Sequence, residues 1–586
     1  MIVPMQKVAV LSLSTERNRA LESLRELGVL HLSFERRAEH DDIEMARRRL
    51  ESVRRACEVL PTAAQQAPSG LPPGEVVDEL SRLIQRRRES SEELQRLRQE
   101  RQRIAPFGSF APEALAALGE RGVFIRLFQA PPKSLPAIPE QAVYLETLRT
   151  GAAVFFVLVT RGEQPEIQAQ QIRPPVMSLA AVEGRIAELE AAQATIADQI
   201  ARFGGDYPAL ARLRTEAEEA LQLAEVRAGM GAATARIDYL LGFCPSDDVD
   251  RLRQAARENG WGLSIEEPAD DDRVPTLLRN PAWMKPIEAV FDLIGILPGY
   301  REIDVSMWFL LFFTLFFAML VGDAGYGATF LVLIVWARRK FPDVPAHVFT
   351  LLRITSIATI VWGVLTGTYF GIPDVPAPLA SLKLNWLGNE EHVKELCFWI
   401  AAIHLSVAHL WNCINMIRTP QALAQVGWLG VVWFMFFTAR AVVLNLPFPP
   451  IMTWVFVAGV ALIVLFMTPV KSLKEEWFNH VMLPLNLVSA FVDVISYIRL
   501  YAVGVAGFAI ASTFNMMLVP LFDSWLVGLL AALLLFLAHT VNIVLAVMGV
   551  MVHGIRLNTL EFASHLGLQW SGIPYRPWRR KPRTAT

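Results

Sequence analysis

The chain has 586 residues, too long for one ordinary domain, so at least two are expected. Its 55 basic and 57 acidic side chains nearly cancel, but unevenly: residues 1–304 hold 38 and 46, residues 305–563 hold 12 and 11, and residues 564–586 hold five and none. A soluble acidic half is thus joined to an apolar half with a basic end, a balance that gives no support to nucleic-acid binding.

At the start, residues 8–13 are apolar but far shorter than a secretory core, and Thr15-Glu16-Arg17 follows without a small-residue cleavage site. The first half is therefore expected in the cytoplasm. Residues 5–13 read as a strand, 16–27 as an amphipathic helix closed by Gly28, and 29–34 as a second strand. Residues 75–104 carry Val77, Leu80, Ile84, Leu94, Leu97 and Ile104 near helical spacing, interrupted by Arg87, Ser91 and Arg101. Residues 178–203 are more regular: Leu179, Val182, Ile186, Leu189, Ile196, Ile200 and Phe203 alternate by three and four, the seam of a coiled coil. Gly204-Gly205-Asp206-Tyr207-Pro208 interrupts it and helix resumes over 210–226. Between these arms, an α/β insert at about 105–175 has strands at 122–129 and 152–159, with a loop at Pro131-Pro132. Residues 237–243, 249–258 and 262–266 then read as strand, helix and strand. The expected arm, 1–304, is two small α/β lobes held apart by a helical coiled-coil hairpin, like a dumb-bell; two separately packed helices are the plainer alternative. No phosphate-binding loop or dinucleotide fingerprint is present, so no nucleotide, catalytic centre or cofactor is expected. Cys57, Cys244, Cys397 and Cys413 have no metal-ligand spacing and read as buried free thiols.

Six later segments, 349–371, 396–417, 426–444, 452–468, 480–519 and 525–562, approach or exceed the ~20 apolar residues of a membrane span. The last two are overlong and must tilt or extend beyond lipid. Residues 305–336 are one long helix or two short ones turning at Gly322-Asp323-Ala324-Gly325. Charge favours two. With the arm in the cytoplasm and eight spans, the inner loops and tail carry Arg338, Arg339, Lys340, Arg418, Lys471, Lys474, Arg576, Arg579, Arg580, Lys581 and Arg583, while the outer loops carry only Lys383. One helix would reverse this, against the positive-inside tendency. The expected architecture is an α-helical membrane domain of eight spans over 305–563, two of them long and tilted, and a basic tail over 564–586, both termini cytoplasmic.

An ionisable side chain at the bilayer centre costs at least ~2.5–3.5 kcal/mol, so one that is kept implies a role. Arg353 and Arg440 lie near span ends, where snorkelling accounts for them. Arg499 lies mid-segment, and Asp493, six residues earlier, is about a third of a turn off its face. Ala502, Gly504, Ala506, Gly507, Ala509 and Ala511 follow, small enough to admit another helix closely. In the last segment His539, Asn542, Gly549, His553 and Arg556 are spaced to share one face. Bonding between helices accounts readily for His539 and Asn542; a hydrated ion path fits the whole stripe.

Three runs carry a family resemblance: Asp493-Val494-Ile495-Ser496-Tyr497-Ile498-Arg499-Leu500, Gly322-Asp323-Ala324-Gly325-Tyr326-Gly327, and His553-Gly554-Ile555-Arg556-Leu557 with Glu561-Phe562. Together with Pro281–Glu288 and Tyr300-Arg301-Glu302-Ile303-Asp304, they make the whole chain resemble the large membrane subunit of V-type and A-type rotary ATPases, subunit I in prokaryotes and subunit a in eukaryotes. The resemblance implies a non-catalytic stator subunit in a membrane, expected to be a prokaryotic plasma membrane. It implies two half-channels for protons or sodium facing a rotating proteolipid (c-type) ring, with peripheral stalk subunits of E/G type bound to the arm. The central stalk and soluble ATPase sector complete the complex. Arg499 is expected to meet a carboxylate of the moving ring, with Arg556, His553, Asp493, Asn542, His539, Glu561 and Ser496 as the other ion-translocation residues. Where some members of the family carry a carboxylate and a histidine, this chain has Ala546 and Gly507, and its end keeps only part of a glycine-rich pattern. A secondary transporter and a membrane-anchored scaffold are the competing readings; the former usually shows related halves, and no internal repeat is evident.

Overall fold

The computed structural model describes residues 1–33, 41–60, 67–136, 138–139, 141–162, 165–373, 375–468 and 477–580. Lys471, Lys474, Lys581 and Arg583, counted above toward topology, lie outside the described residues. The chain divides into two compact units, one made of Met1–Ser33 with Leu241–Arg579, the other of the sequence between.

In the second unit, helix Pro73–Ile104 starts with Pro at its first position, where the ring's fixed φ suits the first turn. It packs against Leu179–Arg202, whose N-terminus is capped by Ser178 Oγ accepting from Ala181 N at 3.3 Å. Leu94 and Ile104 are buried against Val182, Ile186 and Leu189, and Val77, Leu80 and Leu83 cluster with Ile200. Ile196 and Phe203, assigned to the same stripe, are only partly buried. Helix Asp41–Val59, which the sequence reading misses, packs on Tyr207–Gly229. The insert is a four-stranded antiparallel sheet in the order Val143–Arg149, Val154–Arg161, Val123–Ala130, Gln170–Ile172. Val154, Phe156 and Leu158 point inward at every second position, the period of a half-buried strand.

In the first unit, Met5–Leu13 pairs antiparallel with Gly262–Glu266, from Lys7 opposite Glu266 to Leu11 opposite Gly262. His31–Ser33 pairs with Leu241–Phe243, and helices Arg17–Leu27 and Val249–Asn259 end in the left-handed glycines Gly28 and Gly260. The surprise is the far end of the chain. Ile573–Pro574 pairs in parallel with Pro275–Thr276, Tyr575 donates its hydroxyl to Val29 O at 2.6 Å, and Trp578 N donates to Leu30 O at 2.9 Å. The segment expected to be a basic tail is a strap on the first lobe, with Trp578 buried.

Eight apolar helices follow the lobe: α1 Ser306–Val321, α2 Ala324–Lys340, α3 Ala346–Thr366, α4 Glu390–Asn415, α5 Gln421–Leu444, α6 Ile451–Phe466, α7 from Trp477 to Leu518 and α8 from Trp525 to Leu566. Five are long and apolar enough to cross a membrane; α1 and α2 pass that test together but bend by 117°, and α6 is shorter. The bend falls where the sequence suggests a turn. Gly322 takes φ 70°, and Asp323 caps α2 by accepting from Gly325 N at 2.8 Å and Tyr326 N at 3.2 Å. The same carboxylate accepts from Phe370 N at 2.8 Å and Gly371 N at 3.0 Å, tying the turn to the chain beyond α3. Gly363 of α3 lies so close that a Cβ there would sit 2.1 Å from Ala324 N. Among the described residues none of the four cysteines is in a disulfide; Cys57, Cys244 and Cys397 are buried and Cys413 is half-buried.

One buried carboxylate thus satisfies four backbone donors. Asp323→Ala should lower stability by at least ~2–3 kcal/mol, and Asp323→Asn by less, since one acceptor oxygen remains. Thermal unfolding of the purified protein in detergent checks the order; equal melting temperatures for wild type and Asp323→Ala would refute it.

Candidate site around Arg499

Helix α7 is interrupted. Residues Trp477–Ser496 are α-helical, Tyr497 is a turn, and Ile498–Leu518 resume the helix. At the break the backbone tightens: Tyr497 N reaches Val494 O at 3.4 Å and Leu500 N reaches Tyr497 O at 3.0 Å. Leu500 would ordinarily donate to Ser496 O. That carbonyl instead accepts from Arg499 Nε at 2.8 Å, so the break supplies the first ligand of the guanidinium. Ser496 contributes this carbonyl, while its hydroxyl donates to Asp493 O at 2.7 Å.

The second ligand comes from α8. This helix is α-helical to Gly549, then makes π turns at Val550–Gly554 and Leu557–Phe562 before a last α turn, Ala563–Leu566. In a π turn residues five apart are bonded neighbours, which places Arg556 and Glu561 together: Arg556 Nε lies 3.5 Å from Glu561 Oε1. The same oxygen accepts from Arg499 Nη2. Glu561 is 4% exposed and Arg499 23%. Among the described residues, Glu561 Oε2 is buried without a partner, and Arg499 Nη1 takes none. Beside the ring carboxylate that the resemblance implies, this chain itself provides a carboxylate for Arg499.

Asp493 does not pair with Arg499; its Oδ2 lies 3.1 Å from His565 Nε2. His565 Nδ1 is 2.8 Å from His409 Nε2, and His409 Nδ1 is 2.8 Å from Gln425 Oε1. His404 is wholly buried between the rings of Phe312 and Phe562, at 3.8 Å and 4.2 Å, with Nδ1 2.8 Å from the Tyr497 hydroxyl. His404 and His409, both in the apolar segment 396–417, are missed by the sequence reading although their setting is a signal; His565 lies in the stretch expected to be a tail.

Of the stripe expected along the last helix, His539, Asn542 and Gly549 lie in its α-helical part, and His553 and Arg556 lie in or beyond the first π turn, where the angular step changes. His539 and Asn542 belong to a separate network, as the bonding alternative has it. His539 Nδ1 is 2.8 Å from the Tyr326 hydroxyl and Nε2 3.2 Å from Asn515 Oδ1; Asn542 donates to Tyr326 Oη at 2.9 Å and to Gly507 O at 2.8 Å. Gly507 thus presents its backbone to Asn542. His553 is half-buried with Nδ1 unpartnered among the described residues. Arg440 does more than snorkel: it pairs with Glu395 at 2.8 Å and lies over the rings of Phe436 and Phe437.

The arrangement holds an always-charged guanidinium against a carboxylate whose second oxygen is free, a pair that another carboxylate could exchange into. Among the described residues no cluster suits a metal ion.

No protein-family model matches the chain. V-type ATP synthase subunit I 1 of Treponema pallidum (strain Nichols) is 32% identical over 632 aligned positions, covering 99% of this chain and 100% of that protein. V-type ATP synthase subunit I of Borreliella burgdorferi is 29% identical over 99% of this chain and 100% of its own length. A-type ATP synthase subunit I of Methanocaldococcus jannaschii is 24% identical over 59% of this chain and 55% of that protein. Among solved structures, the cytoplasmic N-terminal domain of subunit I, homolog of subunit a, of V-ATPase matches 44% of this chain and 99% of its own at 17% identity and TM-score 0.24, which carries no weight for the fold. On its full-length relatives, the chain belongs to the subunit I family of V-type and A-type ATP synthases.

Proposed function

We propose that this chain is the ion-translocating stator of its rotary ATPase, with Arg499 as the residue that a ring carboxylate meets. The Arg499–Glu561 pair carries this reading. Glu561 holds the guanidinium when no ring carboxylate is present, and leaves it when one arrives. The arriving carboxylate is drawn into its ionised form by the opposite charge and releases its proton; the fixed positive charge also blocks direct leakage between the half-channels. Arg556 then remains as a neighbour for Glu561, so the displaced carboxylate is not stranded without a cation.

In this reading α1 to α8 are eight spans in a prokaryotic plasma membrane, with both termini in the cytoplasm. The arm, its helices joined as a coiled-coil hairpin, holds peripheral stalks so that the subunit does not turn with the ring. Arg338, Arg339, Lys340 and Arg418 then face the cytoplasm and Lys383 faces outward. In a background without native cysteines, a cysteine at Asn389 should react with an impermeant thiol reagent from outside, and one at Asp343 only from the cytoplasmic face. Reversed labelling would discard the eight-span arrangement.

The charge itself is required. Arg499→Ala should abolish ATP-driven ion uptake into vesicles while the complex still assembles, and Arg499→Lys should largely fail, since a compact ammonium lacks the planar fork. Glu561→Gln should assemble and transport more slowly, because Arg499 loses its resting counter-charge. Uptake rates beside the subunit composition of the purified complex decide this. Coupled transport persisting in Arg499→Ala would overturn the proposal. Arg440→Ala, which strands Glu395, should reduce stability rather than the transport rate per assembled complex.

A further inference from the structure

A continuous chain of hydrogen-bonding side chains runs from the end of the bundle that the proposed topology places at the cytoplasm to Asp493, two turns short of Arg499. Gln425, in the first turn of α5, meets His409 of α4 at 2.8 Å. His409 meets His565 at the end of α8 at 2.8 Å, and His565 meets Asp493 of α7 at 3.1 Å, one turn before Ser496 and two before Arg499. His409 is 4% exposed and the His565 side chain 7%. Beside this chain, Asn412 Nδ2 donates to His565 O at 3.1 Å. Asn412 and Leu566 also line a cavity of about 790 Å3 with Asp304, Trp308 and Asn415, so open space ends one residue from His565 and one helical turn from His409.

Four side chains from four helices in one unbroken line exceed what packing requires, since either histidine could be satisfied by a backbone carbonyl. Their chemistry is specific. A neutral imidazole accepts a proton on one nitrogen and gives up the proton on the other, so it ends neutral with its tautomer inverted. Two imidazoles in contact and a carboxylate at the end hand one proton along in this way, with no other bond made or broken. The polarity of the line depends on Gln425. With its Oε1 toward His409, the donors run so that His565 Nε2 and Asp493 can meet only if one extra proton lies between them. With the amide turned, both histidines donate toward an ionised Asp493 and no extra proton is needed. The same atoms therefore hold a loaded and an empty state. Hard cations such as sodium are held by several oxygens, and this line offers two facing ring nitrogens instead.

Resting on the proposed function above, we infer that His409, His565 and Asp493 form a proton relay on the cytoplasmic side, with Gln425 setting its polarity, and hence that the ion moved is H+ and not Na+. Other titratable or charged groups near the relay, among the described residues, are Glu561, Arg499 and Arg556 from α7 and α8, His404 of α4 and Tyr497 of α7 bonded to each other, and Arg301, Glu302 and Asp304 on the adjoining cavity.

The test uses the whole complex in proteoliposomes with ATP. In sodium-free buffer it should acidify the lumen, read with a pH-sensitive dye, and take up no radioactive sodium when a protonophore is present. His565→Gln and His409→Gln should slow acidification about tenfold or more, with the soluble sector still bound. They should also remove the dependence on solvent deuterium and on pH that the relay imposes, and added imidazole should partly restore His565→Gln. If those variants do not assemble, His409→Phe keeps the ring stacked on Trp428 (5.9 Å, 5°) and removes the nitrogens. Protonophore-resistant sodium uptake that Arg499→Ala abolishes would overturn the relay and leave the proposed function intact. Unchanged rate, pH profile and isotope effect in assembled His409→Phe would likewise overturn it. Transport surviving Arg499→Ala would count instead against the function on which the relay rests.

Discussion

A guanidinium cannot lose its proton to escape a low-dielectric setting, so a helix that carries one among apolar neighbours must surround it with acceptors. Around Arg499 this requirement shapes two helices at once. Helix α7 gives up its regular bonding at Tyr497, which frees the Ser496 carbonyl, and α8 takes π turns that carry Glu561 to the other side of the charge. Each distortion costs regular helix bonding, and each is offset by a charge-assisted hydrogen bond of the stronger class. The packing around the break follows from the same need. The Tyr497 ring, at the interruption, is fully buried, and its hydroxyl is taken by His404, which is itself clasped between two phenylalanines.

The polar groups away from Arg499 close the bundle in a different manner. At the α1–α2 turn the Asp323 carboxylate gathers backbone donors from two segments, and the Tyr326–His539–Asn515–Asn542 network joins α2, α7 and α8. Lipid tails offer no hydrophobic drive between spans, so close backbone approach at glycines and such interhelical bonds are what holds neighbours together. At Gly507 the absence of a side chain lets Asn542 reach the backbone carbonyl directly.

Regular elements were legible where one period dominates. The strand Gly262–Glu266 alternates along its whole length and Met5–Leu13 alternates from Val8 to Ser12, and both appear with the bounds expected. Helix Asp41–Val59 escaped because charged residues crowd it and leave only Ile43, Leu50, Val53, Ala56 and Cys57 for burial. Arg499 was legible as a mid-segment charge, but its bond to Glu561 was not. An angular argument drawn at 3.6 residues per turn places Arg556 and Glu561 on different faces, and only the i to i+5 spacing of a π turn unites them. The histidine line was hidden for another reason: His409 and His565 lie 156 positions apart and meet only through the packing of α4 against the end of α8.

The strap at the chain's end bears on how the protein is made. Synthesis runs from the first residue to the last, and early segments begin to fold while later ones are still being added. Yet the lobe that starts the sequence holds a strand pair, Pro275–Thr276 with Ile573–Pro574, whose second member is made only after α8. Val29 and Leu30 wait for Tyr575 and Trp578 in the same way. The lobe is therefore finished only after α1 to α8 have been translated, so the order of synthesis delays the closing of a fold that the first residues begin.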